Sequence, residues 1–206
     1  NLSGGQVSAG GIYSIGFYTQ TGGTNCVSGG FAVAGGEEVR MSVSGGLLSV
    51  HHLDVYPAYV GGVSLTGGTL IITNTLFVQG ISSLPLWGGV SCDGGQLIVS
   101  NIFLTSASIF SCGNGGINQS GTLTMTNANL YSATNSVQLG PLSLGSGTNS
   151  TLHMVSPASI INFADSSSLV WANDSMLVVE GWSGSQYGGG QQQIGFGKNS
   201  GALTSA

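Results

Sequence analysis

The sequence predicts an all-β fold, a right-handed parallel β-helix (β-solenoid) with short coils of two or three strands. Three observations support this. A Gly-Gly pair recurs at Ser3-Gly4-Gly5, Thr21-Gly22-Gly23, Ser44-Gly45-Gly46, Thr66-Gly67-Gly68 and Asp93-Gly94-Gly95, with Ser120-Gly121 as a sixth restart. Counted from the last Gly, the restarts lie 18, 23, 22, 27 and 26 residues apart, lengths that suit one solenoid coil. Within each repeat the apolar residues alternate with period two, the pattern of a strand with one buried face. No window combines helical periodicity with good helix formers, so no helix is expected.

Each coil is predicted to run strand, Gly-Gly corner, strand, Asn corner, strand, then a loop of variable length. The strand before the Gly buries Met41 and Val43, Val63 and Leu65, Val90 and Cys92. Two and four residues after it come Leu48 and Val50, Leu70 and Ile72, Leu97 and Val99, Leu123 and Met125. Seven and nine residues after it come Leu53 and Val55, Thr75 and Phe77, Ile102 and Leu104, Ala128 and Leu130. Gly suits the first corner because it accepts positive φ without a Cβ penalty. Six residues after the Gly stand His52, Asn74, Asn101 and Asn127. Asn tolerates the left-handed region and bonds locally, and stacked amides form ladders. A structural corner ladder of His52, Asn74, Asn101 and Asn127 is therefore expected.

Residues 1–140 are predicted to be the solenoid repeats. Residues 141–206 are expected to form irregular terminal coils and a cap continuous with the same domain. Ile160-Ile161-Asn162-Phe163, Ser168-Leu169-Val170-Trp171 and Met176-Leu177-Val178-Val179 still read as strands there, and Trp171, Trp182 and Tyr187 add bulk. Terminal solenoid repeats depart from the pattern because they cover an open edge.

Composition narrows the function. Arg40 and Lys198 are the two cationic side chains against seven carboxylates, and 4% of the chain is charged, where about a quarter is usual. A net charge of −5 argues against nucleic acid or anionic lipid as partner. No apolar stretch is long enough for membrane insertion as a helix. A Lys-poor chain rich in Ser, Thr, Asn and Gly is typical of exported proteins. With no starting Met and no basic leader, it is expected to be a mature product or an excised fragment. Three cysteines leave either one pair and a free thiol or no pair. Cys92 occupies an inward strand position and reads as a buried thiol, and Cys112 falls in the Ser111–Gly115 loop of the next coil, within reach of it.

Right-handed β-helices also house polysaccharide lyases and hydrolases, whose sites need paired carboxylates or a calcium cluster. Here Glu37, Glu38 and Arg40 lie together beside Gly35-Gly36, with His51, His52 and Asp54 one coil position further on. A solvated turn and a surface corner account for them, so neither catalysis nor a metal or other cofactor is expected. The outward positions are more telling. In the flanking coils they are Ser49, Asp54, Thr124 and Asn129, but in the middle two they are Ile71, Leu76, Ile98 and Phe103. Such an apolar patch marks a contact surface, unless the segment Ser82–Trp87 folds over it.

The C-terminal stretch adds a resemblance. Ile161-Asn162-Phe163-Ala164-Asp165-Ser166-Ser167, Trp171, Val178-Val179-Glu180-Gly181-Trp182-Ser183-Gly184, Ile194-Gly195-Phe196-Gly197 and Gly201-Ala202-Leu203-Thr204 resemble the tail of secreted bacterial proteins built from autotransporter-associated β-strand repeats, many of which carry a PEP-CTERM sorting signal. The Gly-Gly-x-Leu-x-Val repeats resemble the same family. The resemblance implies a parallel β-helix, export, a place at the cell surface or in extracellular matrix, and no catalytic residues. Two functions are expected from these readings. One is a structural subunit of a filament or surface layer, partnered by copies of itself. The other is an adhesin-like segment binding a surface glycan through Tyr13, Tyr18, Tyr56, Tyr59 or Trp87.

Overall fold

In the computed structural model, sixteen strands stack in parallel as a β-solenoid, and no helix occurs among the described residues. The structure describes every residue except 15, 35–37, 57–59, 81–88, 107, 114, 133–135, 147–148, 186, 188–189 and 199–206. Four strands are long: β3 (Phe17–Val33), β4 (Glu38–Val55), β5 (Val60–Gln79) and β6 (Gly89–Thr105), preceded by β1 (Gln6–Ala9) and β2 (Ile12–Ser14). Each long strand bends round two corners and so contributes to three faces. The strands that follow make this plain, because β7 (Ile109–Cys112), β8 (Gly116–Gln119) and β9 (Leu123–Thr126) pair in turn with consecutive thirds of β6.

The alternation read from the sequence fills the interior. On the first face one inward column runs Met41, Val63, Val90, Phe110, and a second runs Val43, Leu65, Cys92, Cys112. The second face supplies Leu48, Leu70, Leu97 and, beside them, Val50, Ile72, Val99. The third face supplies Phe31, Leu53, Leu76, Ile102, Leu123. All of these side chains are buried, and together they form one continuous apolar core. Fully burying each such side chain contributes about 1.5–3 kcal/mol, spread evenly along the axis because each coil touches only its neighbours.

Each glycine of a Gly-Gly corner answers a separate demand. A Cβ on Gly94 would strike the carbonyl oxygen of Thr66 in the preceding coil. Gly95 has a φ of 68°, in the left-handed region, and a Cβ there would stand 2.6 Å from the Gly68 carbonyl oxygen. The coils therefore meet backbone to backbone at this corner. The slack lies elsewhere. Between the third face of one coil and the first face of the next, the connection occupies residues 56–59, then 80–88, then 106–108.

One level of the interior is polar. The Tyr18 hydroxyl donates to Gln20 Oε1 at 2.8 Å and accepts from Asn25 Nδ2 at 2.7 Å, and Gln20 Nε2 donates to the Leu47 carbonyl at 2.8 Å. Burial raises the Tyr18 pKa, with the bond from Asn25 pulling the other way. Asn25 Oδ1, buried, has no partner among the described residues.

Beyond β9 the stack continues through the C-terminal region. β10 (Asn129–Ser132), β13 (Ser150–Met154) and β15 (Leu177–Glu180) extend the first face, and β12 (Leu142–Leu144) extends the third. On the second face β11 (Ser136–Leu139), β14 (Ile160–Phe163) and β16 (Gln193–Phe196) form their own three-stranded ladder. Where that ladder breaks from β8, the Gln119 side chain accepts the Gly140 N–H at 3.1 Å. The irregularity falls on the third face, where Trp171 Nε1 donates to the Leu142 carbonyl at 3.0 Å and packs toward Phe196, ring centroids 6.3 Å apart.

The restart expected at Ser120-Gly121 is displaced by one strand. Gly115 and Gly116, not Gly121, lie against the Gly94-Gly95 corner. Leu123 and Met125 consequently pair with Ile102 and Leu104 on the third face, and Ala128 and Leu130 belong to the approach to the first face of the following coil. All four are buried as expected, but one face further on.

Candidate functional site: corners and outward faces

The expected corner ladder does not form as predicted. His52 is the register partner of Thr75, and Thr75 is the partner of Asn101. Asn101 Oδ1 then accepts the Thr122 backbone N–H at 3.0 Å. The column thus reads His52, Thr75, Asn101, Thr122. Asn74 drops out because Thr73 and Asn74 together oppose the single residue His51 on one side and Ser100 on the other. It is exposed and accepts a bond from its neighbour Thr75 at 3.3 Å. Asn127 lies at the end of β9, on the way back to the first face, with a φ of 48°. The reason for placing Asn at a corner holds there, but the corner is a different one. Asn101→Ala is expected to cost about 1–2 kcal/mol by stranding the Thr122 N–H, whereas Asn74→Ala changes nothing measurable in a urea melt.

The same extra residue corrects the outward patch. Leu76 is fully buried in the core, and Phe77 takes the outward place. On the second face the outward column runs Cys26, Ser49, Ile71, Ile98, Asn118. On the third face it runs Ala32, Asp54, Phe77, Phe103, Thr124. Ile71, Ile98, Phe77 and Phe103 therefore stand on neighbouring faces of the same two coils, with Phe103 37% exposed. Tyr56 extends the aromatic row, its ring centroid 6.4 Å from that of Phe77. The segment Ser82–Trp87 lies outside the described residues, as do Glu37 and Tyr59.

The polar corner cluster is sparse. His52 Nε2 lies 3.8 Å from Asp54 Oδ2, and His51 Nδ1 lies 3.2 Å from the Thr73 hydroxyl. His51 and Thr73 border an open groove of about 230 Å3 that Cys26, Ser49 and Ser8 also line. Among the described residues no three His, Cys, Asp or Glu side chains are disposed to hold a metal ion.

A second cluster escaped the sequence reading. Tyr131, His153 and Glu180 are successive outward residues of the first face. The two rings stack at 4.1 Å with 8° between their planes. His153 Nδ1 lies 3.1 Å from Glu180 Oε2, and His153 Nε2 lies 3.2 Å from Asn129 Oδ1. Burial lowers the His153 pKa, and the Glu180 carboxylate opposes that shift. The arrangement orients the imidazole, but no hydroxyl or thiol stands against it as a nucleophile among the described contacts. Their spacings, 22 and 27 residues, match the repeat lengths at the start of the chain, and only the strand register turns that spacing into a contact.

The fold and its faces define the class: a β-solenoid repeat protein. No protein-family model, curated protein or solved structure matches the chain.

Proposed function

We propose that the protein is an extracellular structural subunit of a self-assembling filament or cell-surface layer, in which copies of the chain meet through their faces. The observation that carries this reading is the outward apolar group of Ile71, Ile98, Phe77 and Phe103 on two adjacent coils. A surface this poor in charge sets up little repulsion between copies, so apolar contact dominates and association responds weakly to salt. The test is analytical ultracentrifugation across micromolar concentrations with negative-stain imaging. Concentration-dependent oligomers or fibres are expected, and the double variant Ile98→Asp, Phe103→Asp is expected to remain monomeric while keeping its melting temperature. A parent chain that stays monomeric throughout would sink the proposal.

The second reading, adhesion to a surface glycan, draws support from the row of Tyr56, Phe77 and Phe103, because sugars stack their apolar faces on aromatic rings. A glycan array separates the two. Saturable binding that Tyr56→Ala abolishes favours adhesion, and assembly without glycan binding favours the subunit.

A further inference from the structure

We propose that Cys92 and Cys112 form a latent disulfide site inside the solenoid, closed by exchange with a small-molecule disulfide such as oxidised glutathione. The two residues end the first-face segment of β6 and the strand β7, and they are direct register partners. Neighbouring strands stand about 4.7–4.9 Å apart, within the roughly 4.4–6.8 Å between Cα atoms that a disulfide spans. Both side chains point inward and are buried. The same column holds Val43 and Leu65 before them and Ser132 and Met154 after them, so the two sulfur rungs of cysteine fall side by side in one column.

Their surroundings suit a bridge. The Cys92 thiol makes only a long contact to the Gly94 carbonyl, 4.0 Å, so oxidation removes no strong hydrogen bond. Gly115 packs directly on the Cys92 sulfur, and any side chain there would displace it. The next rung, Ser132, carries a buried hydroxyl with no partner among the described residues. A bridge would close the loop from Cys92 to Cys112 round the entire coil and tie it covalently to the next.

The free thiols are held protonated. Burial, and secondarily Asp93, pushes Cys92 up to about 11, and burial with the neighbouring Cys92 pushes Cys112 up as well. Thiolate is the attacking species, so exchange is slow in the closed stack and proceeds through local opening. The Cys92 thiolate, which lies beside the corner, attacks one glutathione sulfur and releases a glutathione thiolate, which takes up a proton. The Cys112 thiolate then attacks the Cys92 sulfur of the mixed disulfide and releases the second glutathione. Two protein S–H bonds become one S–S bond, and the glutathione disulfide becomes two thiols.

The test uses the full chain carrying Cys26→Ser, which removes the half-buried outward thiol of the second face. The folded protein is incubated with oxidised glutathione, then denatured and tagged with a maleimide. Loss of both tags, a mass lower by two hydrogens and a raised melting temperature are expected. Adding Cys92→Ser or Cys112→Ser should abolish the rise. Two tagged thiols after incubation, or a stable glutathione adduct in place of the bridge, would overturn the proposal. So would a bridge that forms only after unfolding in urea.

Discussion

Leu76→Asp is expected to unfold the chain, whereas Phe77→Asp next to it leaves the fold standing. Leu76 has no exposed surface and packs in a column between Leu53 and Ile102. A carboxylate there finds no partner in an apolar interior, and the cost of at least about 4 kcal/mol rivals the stability of an ordinary domain. Phe77 points outward beside Tyr56, so its replacement costs about 1 kcal/mol. The pair is decisive because the simple repeat offset predicts the reverse, with Phe77 inside and Leu76 outside. Circular dichroism melts in urea read it directly. Tolerance of Leu76→Asp with collapse of Phe77→Asp would refute the register.

Gly95→Ala is expected to be the next most damaging change. A left-handed residue with a Cβ costs about 1–2 kcal/mol, and the clash with the Gly68 carbonyl oxygen adds to it, for a total of about 3 kcal/mol. Gly116, on the next coil, is the control. It pairs with Gln96, the residue just past the Gly95 corner, one coil later, has no positive φ, and a Cβ there would touch the Gln96 side chain at an ordinary 3.5 Å. Gly116→Ala should therefore melt within a few degrees of the parent. Equal melting temperatures for the two variants would mean that the corner does not hold the coils as described.

The parallel solenoid, the Gly-Gly corners and most of the interior were legible in the sequence because they depend on local rules. Period-two alternation names the buried face of a strand without reference to any other strand, and Leu48, Leu70 and Leu97 lie where it put them. Register was legible only while coils kept their length. Thr73 and Asn74 share a place that one residue fills in the coils on either side, and from there the offset misassigned Asn74, Thr75, Leu76 and Phe77. After Gly95 the chain reaches its next Gly corner at Gly115-Gly116, while Ser120-Gly121, one strand later, carries the same residue types. The Tyr131–His153–Glu180 cluster is non-local in the same sense. It exists only once three coils are superimposed, and no motif announces it.

The uneven length of the connections has a consequence for how such a chain changes over generations. In the coils up to Cys112, two of the three corners are pinned by backbone contact, so a residue gained there must be absorbed as a bulge, as at Asn74. The third tolerates gaps from three residues, at 106–108, to nine, at 80–88, without disturbing the columns on either side. In those coils, insertions and deletions surviving selection will therefore gather along a single longitudinal seam. Lineages can diversify that seam freely, while the rest of each of those coils stays fixed in circumference. A peptide or tag grafted by a designer belongs on the same line.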